Sequence, residues 1–166
     1  SKLVIVNHVK EGAEMGRKLK LPRKIREIIE QHHGNSLVRF FYHKAKETYD
    51  PEMQEIEEES YRYPGPAPQS KEAALIMLSD SIEAASRSLK SVTQENLKRV
   101  ISEIFENYLQ DGQLDSSDFS LRELRTIANS FHDTLFTVYH PRLEYPGFDF
   151  TIKKKKKSEN GRKPNG

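Results

Sequence analysis

Two adjacent histidines, His32 and His33 in EQHHG, are the residues best suited to chemistry in this 166-residue chain. A third, His8, interrupts an apolar helical stripe, and Asp80 interrupts another in LIMLSDSIEAA. Imidazole nitrogen and carboxylate oxygen are the ligand set of a hard-to-borderline divalent ion, the kind that polarises an ester and activates water. There is no cysteine, which excludes thiolate nucleophiles, disulfides and cysteine zinc sites, so any metal must be held by nitrogen and oxygen.

Each of these residues also has a structural reading. Successive helical side chains diverge by about 100°, so the rings of His32 and His33 can both reach one concave site at a helix end. A surface His-His pair before Gly34 is the plainer account. His8 on an apolar face can equally be a hydrogen-bonded core residue. Asp80 shares a helical face with Ala73, Met77 and Ala84, so its carboxylate is expected to point at the core. Burying an ionised acid without a partner is costly. Metal ligation would answer that requirement, and so would an ion pair with Arg87, two turns on. The only His-Asp dipeptide, His132-Asp133, reads as a helix-surface pair. His43 and His140 have no donors at ligand spacing and read as structural.

The elements that must position these residues are helical. Residues 2–19 form one predicted helix, with Val4, Ile5, His8, Gly12, Met15 and Leu19 on its apolar face. Pro22 suits the first turn of the next, 22–32, whose apolar side is Ile25, Ile28 and Ile29, with Gly34 as its stop. A third is expected over 36–48, burying Leu37, Phe40, Phe41 and Ala45. Residues 50–70 run from an acidic stretch into YRYPGPAPQS, an irregular Pro-rich excursion. Helices over 71–89, 94–110 (capped by Thr93) and 121–140 follow, the last opened by the capping box Ser120 to Glu123. No strand pattern and no repeat occurs, so the predicted class is all-α.

Composition sets the remaining bounds. Hydrophobic residues make up 35% and charged residues 31%, enough apolar content for a core. The net charge of +2 is unevenly placed, with 52–59 acidic and Lys153–Lys157 basic. That basic run reads as part of a solvated, disordered tail rather than as a polyanion or lipid site. No apolar run approaches the ~18–20 residues of a membrane span, and no signal peptide is visible. The chain is expected to be soluble. Because it opens at Ser1 in apolar residues, it is also expected to be cut from a longer polypeptide.

With these residues in view, the chain resembles the HD-domain metal-dependent phosphohydrolases. More narrowly, it is similar to the cytoplasmic domain of bacterial seven-transmembrane HD proteins, the PgpH-type cyclic di-AMP phosphodiesterases. The segments that carry the resemblance are VNHVKEGAEMGRKLKLP, IREIIEQHHG, YRYPGPAPQSKEAA, LSDSIEAASRSLK, DGQLD and YHPRLEYP. They imply a partial HD helical bundle over residues 1–146, its C-terminal portion, with 147–166 as the basic tail.

The resemblance implies that His8, His32 and His33 hold one metal and that Asp80 helps to hold a second and is catalytic. It also implies two divalent ions, iron or manganese, though ligand type alone admits zinc. The implied substrate is cyclic di-AMP, opened to linear pApA, with no nucleic-acid polymer as partner. The parent is implied to be a bacterial inner-membrane protein. Arg62, Lys71 and Arg87 become candidates for contacting phosphates, beside their reading as ordinary ion pairs. The chain departs from the family pattern in one respect: the first His and the His-Asp dipeptide should precede His8, and no such residues stand there. His132-Asp133 is too late to replace them. A degenerate HD fold that binds a nucleotide or a protein without turnover is therefore the alternative.

Overall fold

The computed structural model describes residues 2–47 and 56–140. The helices are α1 (Lys2–Lys18), α2 (Arg23–Gln31), α3 (Arg39–Glu47), α4 (Lys71–Arg87), α5 (Gln94–Gln110) and α6 (Leu121–Tyr139), with a 3-10 turn at Glu58–Tyr61. No strand occurs among the described residues, so the class is all-α as predicted. The predicted tail, 147–166, lies outside the described residues.

Helix α4 is the spine. Its i, i+4 line of Ala74, Leu78, Ile82 and Ser86 is fully buried, together with Met77. Against it pack Ile101 and Phe105 of α5, Leu114 of the following turn and Leu124 of α6, with Ile127, Phe131 and Leu135 alongside. The helices neighbour one another in a chain, α1 on α2, α2 on α4, α4 on α5 and α5 on α6. Each of the last three begins with a hydroxyl cap that accepts a backbone N–H three residues on: Ser70 from Ala73, Thr93 from Asn96 and Ser120 from Glu123. The capping box at Ser120 and Glu123 forms as its sequence predicts. No helix among the described residues is long and apolar enough to cross a membrane.

Three details depart from the sequence reading. The face α1 buries is Val9, Ala13 and Gly16, while Met15 and Leu19 are 61% and 65% exposed. Close helix approach decides this, because Gly12 and Gly16 let Ile29 of α2 come near: a Cβ at Gly12 would lie 3.1 Å from its Cγ2. On α2 itself, Ile25 is exposed. The third predicted helix starts late and buries little. Residues 36–38 are extended instead, with an antiparallel bridge from Leu37 to Arg62, and Phe40 is 70% exposed. Val38 N–H donates to Tyr61 O at 2.8 Å and Tyr63 N–H to Ser36 O at 3.0 Å, bonds that a helix through 36–38 would forgo.

The Pro-rich excursion is irregular through Tyr63–Pro68 and folds back on the end of α2. Gln69 N–H donates to the buried Gln31 Oε1 at 2.9 Å. Gly65 approaches so closely that a Cβ there would sit 2.1 Å from Glu30 O. The excursion is therefore fastened where the histidine pair begins.

Candidate metal centre

The α2 terminus presents the histidine pair. His32 is the C-cap, and its backbone N–H closes the last turn on Ile28 O. Its Nδ1 lies 2.8 Å from Ile29 O. A carbonyl only accepts, so Nδ1 carries a proton, and Nε2, on the far side of the ring, is the nitrogen turned toward α1. That Nε2 stands 3.3 Å from Nε2 of His8 on α1. Two nitrogens bound near-tetrahedrally to one ion at 2.0–2.1 Å stand about 3.3–3.4 Å apart. The separation suits two ligands of one cation, and it is also that of an N–H···N hydrogen bond between the two rings.

The chain then turns at Gly34, whose φ of +56° suits glycine. A Cβ there would fall 2.1 Å from Gln113 Oε1. The loop after the pair is locked by Gln113, whose Nε2 donates to Asn35 Oδ1 at 2.7 Å and whose Oε1 accepts from Asn35 N–H at 3.2 Å. His33 is thereby held over the same hollow, its ring 4.1 Å from that of His32 and 5.0 Å from that of His8, centroid to centroid. One donor atom from each of His8, His32 and His33 lies within 4.8 Å of the others.

Burial first, then the neighbouring His32 and His8 rings, push the His33 pKa down to about 3. The ring is neutral at physiological pH, as a metal ligand must be. Its Nδ1 is 3.7 Å from Asp80 Oδ2, across the α2–α4 interface. With His33 neutral, this contact is a carboxylate beside an imidazole rather than a charged pair. Asp80 is 52% exposed and not in the core, which corrects the orientation expected from helical counting. The buried line of α4 follows Ala74, Leu78 and Ile82, leaving Asp80 at its edge. Arg87, the alternative partner, is bonded to Glu83 on its own helix.

Three imidazoles fit one divalent cation in number and chemistry. Asp80 alone is too poor a donor set for a second transition ion, and no other group of three His or carboxylate donors gathers among the described residues. Of the predicted phosphate contacts, Lys71 pairs with Glu123 at 2.5 Å. Arg62 is clamped by Asp111, with Nη2 to Oδ1 at 2.9 Å and Nη1 to Oδ2 at 3.1 Å, and by Glu58. Its Nη1 also donates to Asn35 O at 3.0 Å. The structure thus brings together His8, His32, His33 and Asp80, and engages Arg62, Lys71 and Arg87 in ion pairs elsewhere. His132 and Asp133 bond to each other on the surface of α6.

Sequence reasoning missed two tyrosines near the site. Tyr63 stacks on His33 with centroids 4.3 Å apart and planes 18° from parallel. Tyr108 of α5 bonds Ser81, the neighbour of Asp80, at 2.6 Å. Burial, then the nearby Tyr108 and Asp80, push the Tyr63 pKa up to about 12. Burial raises that of Tyr108 as well, so both hydroxyls keep their protons. A ring-bearing hydroxyl closing an apolar stripe was the available signal for Tyr108; Tyr63 in YRYPG carried none.

Comparison with known proteins gives a consistent result. Residues 2–85 match the family model of the HD domain. The chain is 47% identical over 146 residues to the cyclic-di-AMP phosphodiesterase PgpH of Bacillus subtilis (strain 168), covering 88% of this chain and 20% of that protein. It is 40% identical over 146 residues to the enzyme of the same name from Listeria monocytogenes serotype 1/2a (strain 10403S), with the same coverage. The chain thus spans about a fifth of the length of these relatives. The L. monocytogenes phosphodiesterase PgpH HD domain, solved in complex with cyclic-di-AMP, superposes with a TM-score of 0.80 at 40% identity, covering 87% of this chain and 66% of that one.

Proposed function

The chain belongs to the HD domain family, and from that premise we propose that it is part of a metal-dependent phosphodiesterase that opens cyclic di-AMP to linear pApA. The observation that carries this reading is the convergence of His8, His32 and His33 beside Asp80. The kinship to the two PgpH enzymes, and to a solved HD domain holding cyclic-di-AMP, supports the substrate. The native metal is proposed to be iron or manganese, and the parent protein to be anchored in a bacterial inner membrane with this domain in the cytoplasm.

His8, His32 and His33 would hold one divalent ion through neutral nitrogens. A bound metal of this kind supplies Lewis acidity toward a phosphoryl oxygen and activates water. The chain's own groups do the rest. The hydrogen bond to Ile29 O keeps His32 Nε2 turned toward α1. Asp80, half-exposed beside His33, is the carboxylate available to accept a proton or to bind a second ion.

Metal content and turnover test the proposal together. The isolated 166-residue chain should bind a divalent metal weakly and hydrolyse cyclic di-AMP little or not at all, since among the described residues Asp80 is the one carboxylate beside the histidines that could hold a second ion. The domain extended upstream to include a His and a His-Asp should turn over with iron or manganese. In that extended domain, Asp80→Ala should abolish turnover while leaving the helical circular-dichroism spectrum unchanged. Robust hydrolysis by the isolated chain that survives Asp80→Ala would overturn the assignment. Tight binding without turnover by the extended domain would favour a nucleotide sensor instead.

A further inference from the structure

Arg62 and Tyr63 are adjacent, yet they face different parts of the molecule. Tyr63 lays its ring flat on His33, 4.3 Å between centroids, and meets His8 edge-on at 6.3 Å. Arg62 is held through both terminal nitrogens by Asp111, 49 residues away, while also gripping Asn35 O, two residues beyond His33. The backbone between them is tied to the loop after the histidine pair by Tyr63 N–H to Ser36 O. On the other side of Tyr63, Gly65 abuts the last turn of α2.

We propose that Tyr63, braced by the Arg62–Asp111 clamp, is a positioning residue for the metal centre: its ring is the wall that fixes the plane of His33. The proposal rests on the reading of His8, His32 and His33 as metal ligands. His33 follows the end of α2, so the helix does not fix its side chain. Asp80 lies 3.7 Å from its Nδ1, too far to orient the ring by a hydrogen bond. Of the three rings that meet His33, Tyr63 is the one that lies nearly parallel to it, 18° between planes against 41° for His32 and 84° for His8, so it is the flat surface along which the ring is set. A wall of this kind acts as other outer groups around a metal do, by removing the freedom a ligand would otherwise lose on binding.

The test is a titration of the purified chain with Co2+ alone, read by its visible absorption and by the dissociation constant. Tyr63→Phe keeps the stacked face and should bind as the unaltered chain does, within about twofold. Tyr63→Leu removes it and should weaken binding about tenfold, the lower end of what outer-shell changes cost. The absorption envelope should shift as the geometry of the third ligand loosens. Arg62→Gln keeps the ring but frees its backbone, and should weaken binding in the same direction by a smaller factor. Tyr63→Leu binding Co2+ with unchanged affinity and spectrum overturns the proposal. Should that variant fail to fold, unchanged binding by Arg62→Gln overturns it instead. A chain that binds no Co2+ before any substitution, or keeps full binding after His32→Ala with His33→Ala, refutes the metal reading itself, which separates the two failures.

Discussion

A histidine pair at a helix end acts as one unit here because each ring has a different restraint. His32 is oriented by its hydrogen bond to Ile29 O, His33 by burial beneath Tyr63. Replacing both with alanine should eliminate divalent-metal binding measured by equilibrium dialysis, and full retention of metal would sink the ligand assignment. Gly34 supports a sharper stability prediction. At φ of +56°, any other residue is strained by about 1–3 kcal/mol, and a Cβ would also strike Gln113. Gly34→Ala should therefore lower the urea midpoint by at least the equivalent of that strain, and an unchanged midpoint would contradict it. The three histidines that gather were legible in the sequence because few side chains can bind a divalent cation, so type and spacing narrow the field. Tyr63 and Gln113 were not legible. An aromatic in a proline-rich loop and a glutamine in a turn have no distinctive chemistry until distant segments meet them.

Helix positions were readable to the extent that capping and periodicity decide them. Ser70, Thr93 and Ser120 start their helices as the side-chain oxygens predict. The face of α1 was read correctly at Gly12 but misread at Met15 and Leu19, because the close approach of α2 over Gly12 and Gly16 turns Val9 and Ala13 inward instead. The start of α3 was misread because a bridge to a segment about 25 positions later offers its backbone better partners. The α6 cap also carries a pH dependence. Lys71 first, and then the Ser120 backbone N–H and hydroxyl, hold the Glu123 carboxyl down to about 2 from its ordinary 4.5. A depressed carboxylate contributes stability that is complete above its unfolded value and is lost as pH falls through its folded one. Stability should therefore decline between about pH 4.5 and pH 2, and Glu123→Gln should flatten that part of the curve in chemical denaturation. A Glu123→Gln curve parallel to the parent's across this interval would exclude the cap as its source.

At the scale of the molecule, the metal hollow is joined to the α4–α5 core by a few polar ties of long reach. Arg62–Asp111 links positions 49 apart and Asn35–Gln113 positions 78 apart. The two partners of the first tie are only about a fifth exposed, so leaving one unpaired should cost roughly 1–3 kcal/mol. In Asp111→Asn, amide hydrogen exchange should quicken at Val38 and Tyr63, whose N–H groups close the bridge. Exchange at Leu78 and Ile82 in the core should stay as slow as before. Equal acceleration at both places would mean that the hollow and the core open as one unit. The reach of the second tie also bears on how the protein is born. At about 5–20 residues per second, the 78 positions from Asn35 to Gln113 take roughly 4–16 s to synthesise. For that interval the three imidazoles already exist while the glutamine that locks their loop does not, so the nascent chain carries the rings before it has the pocket that gathers them.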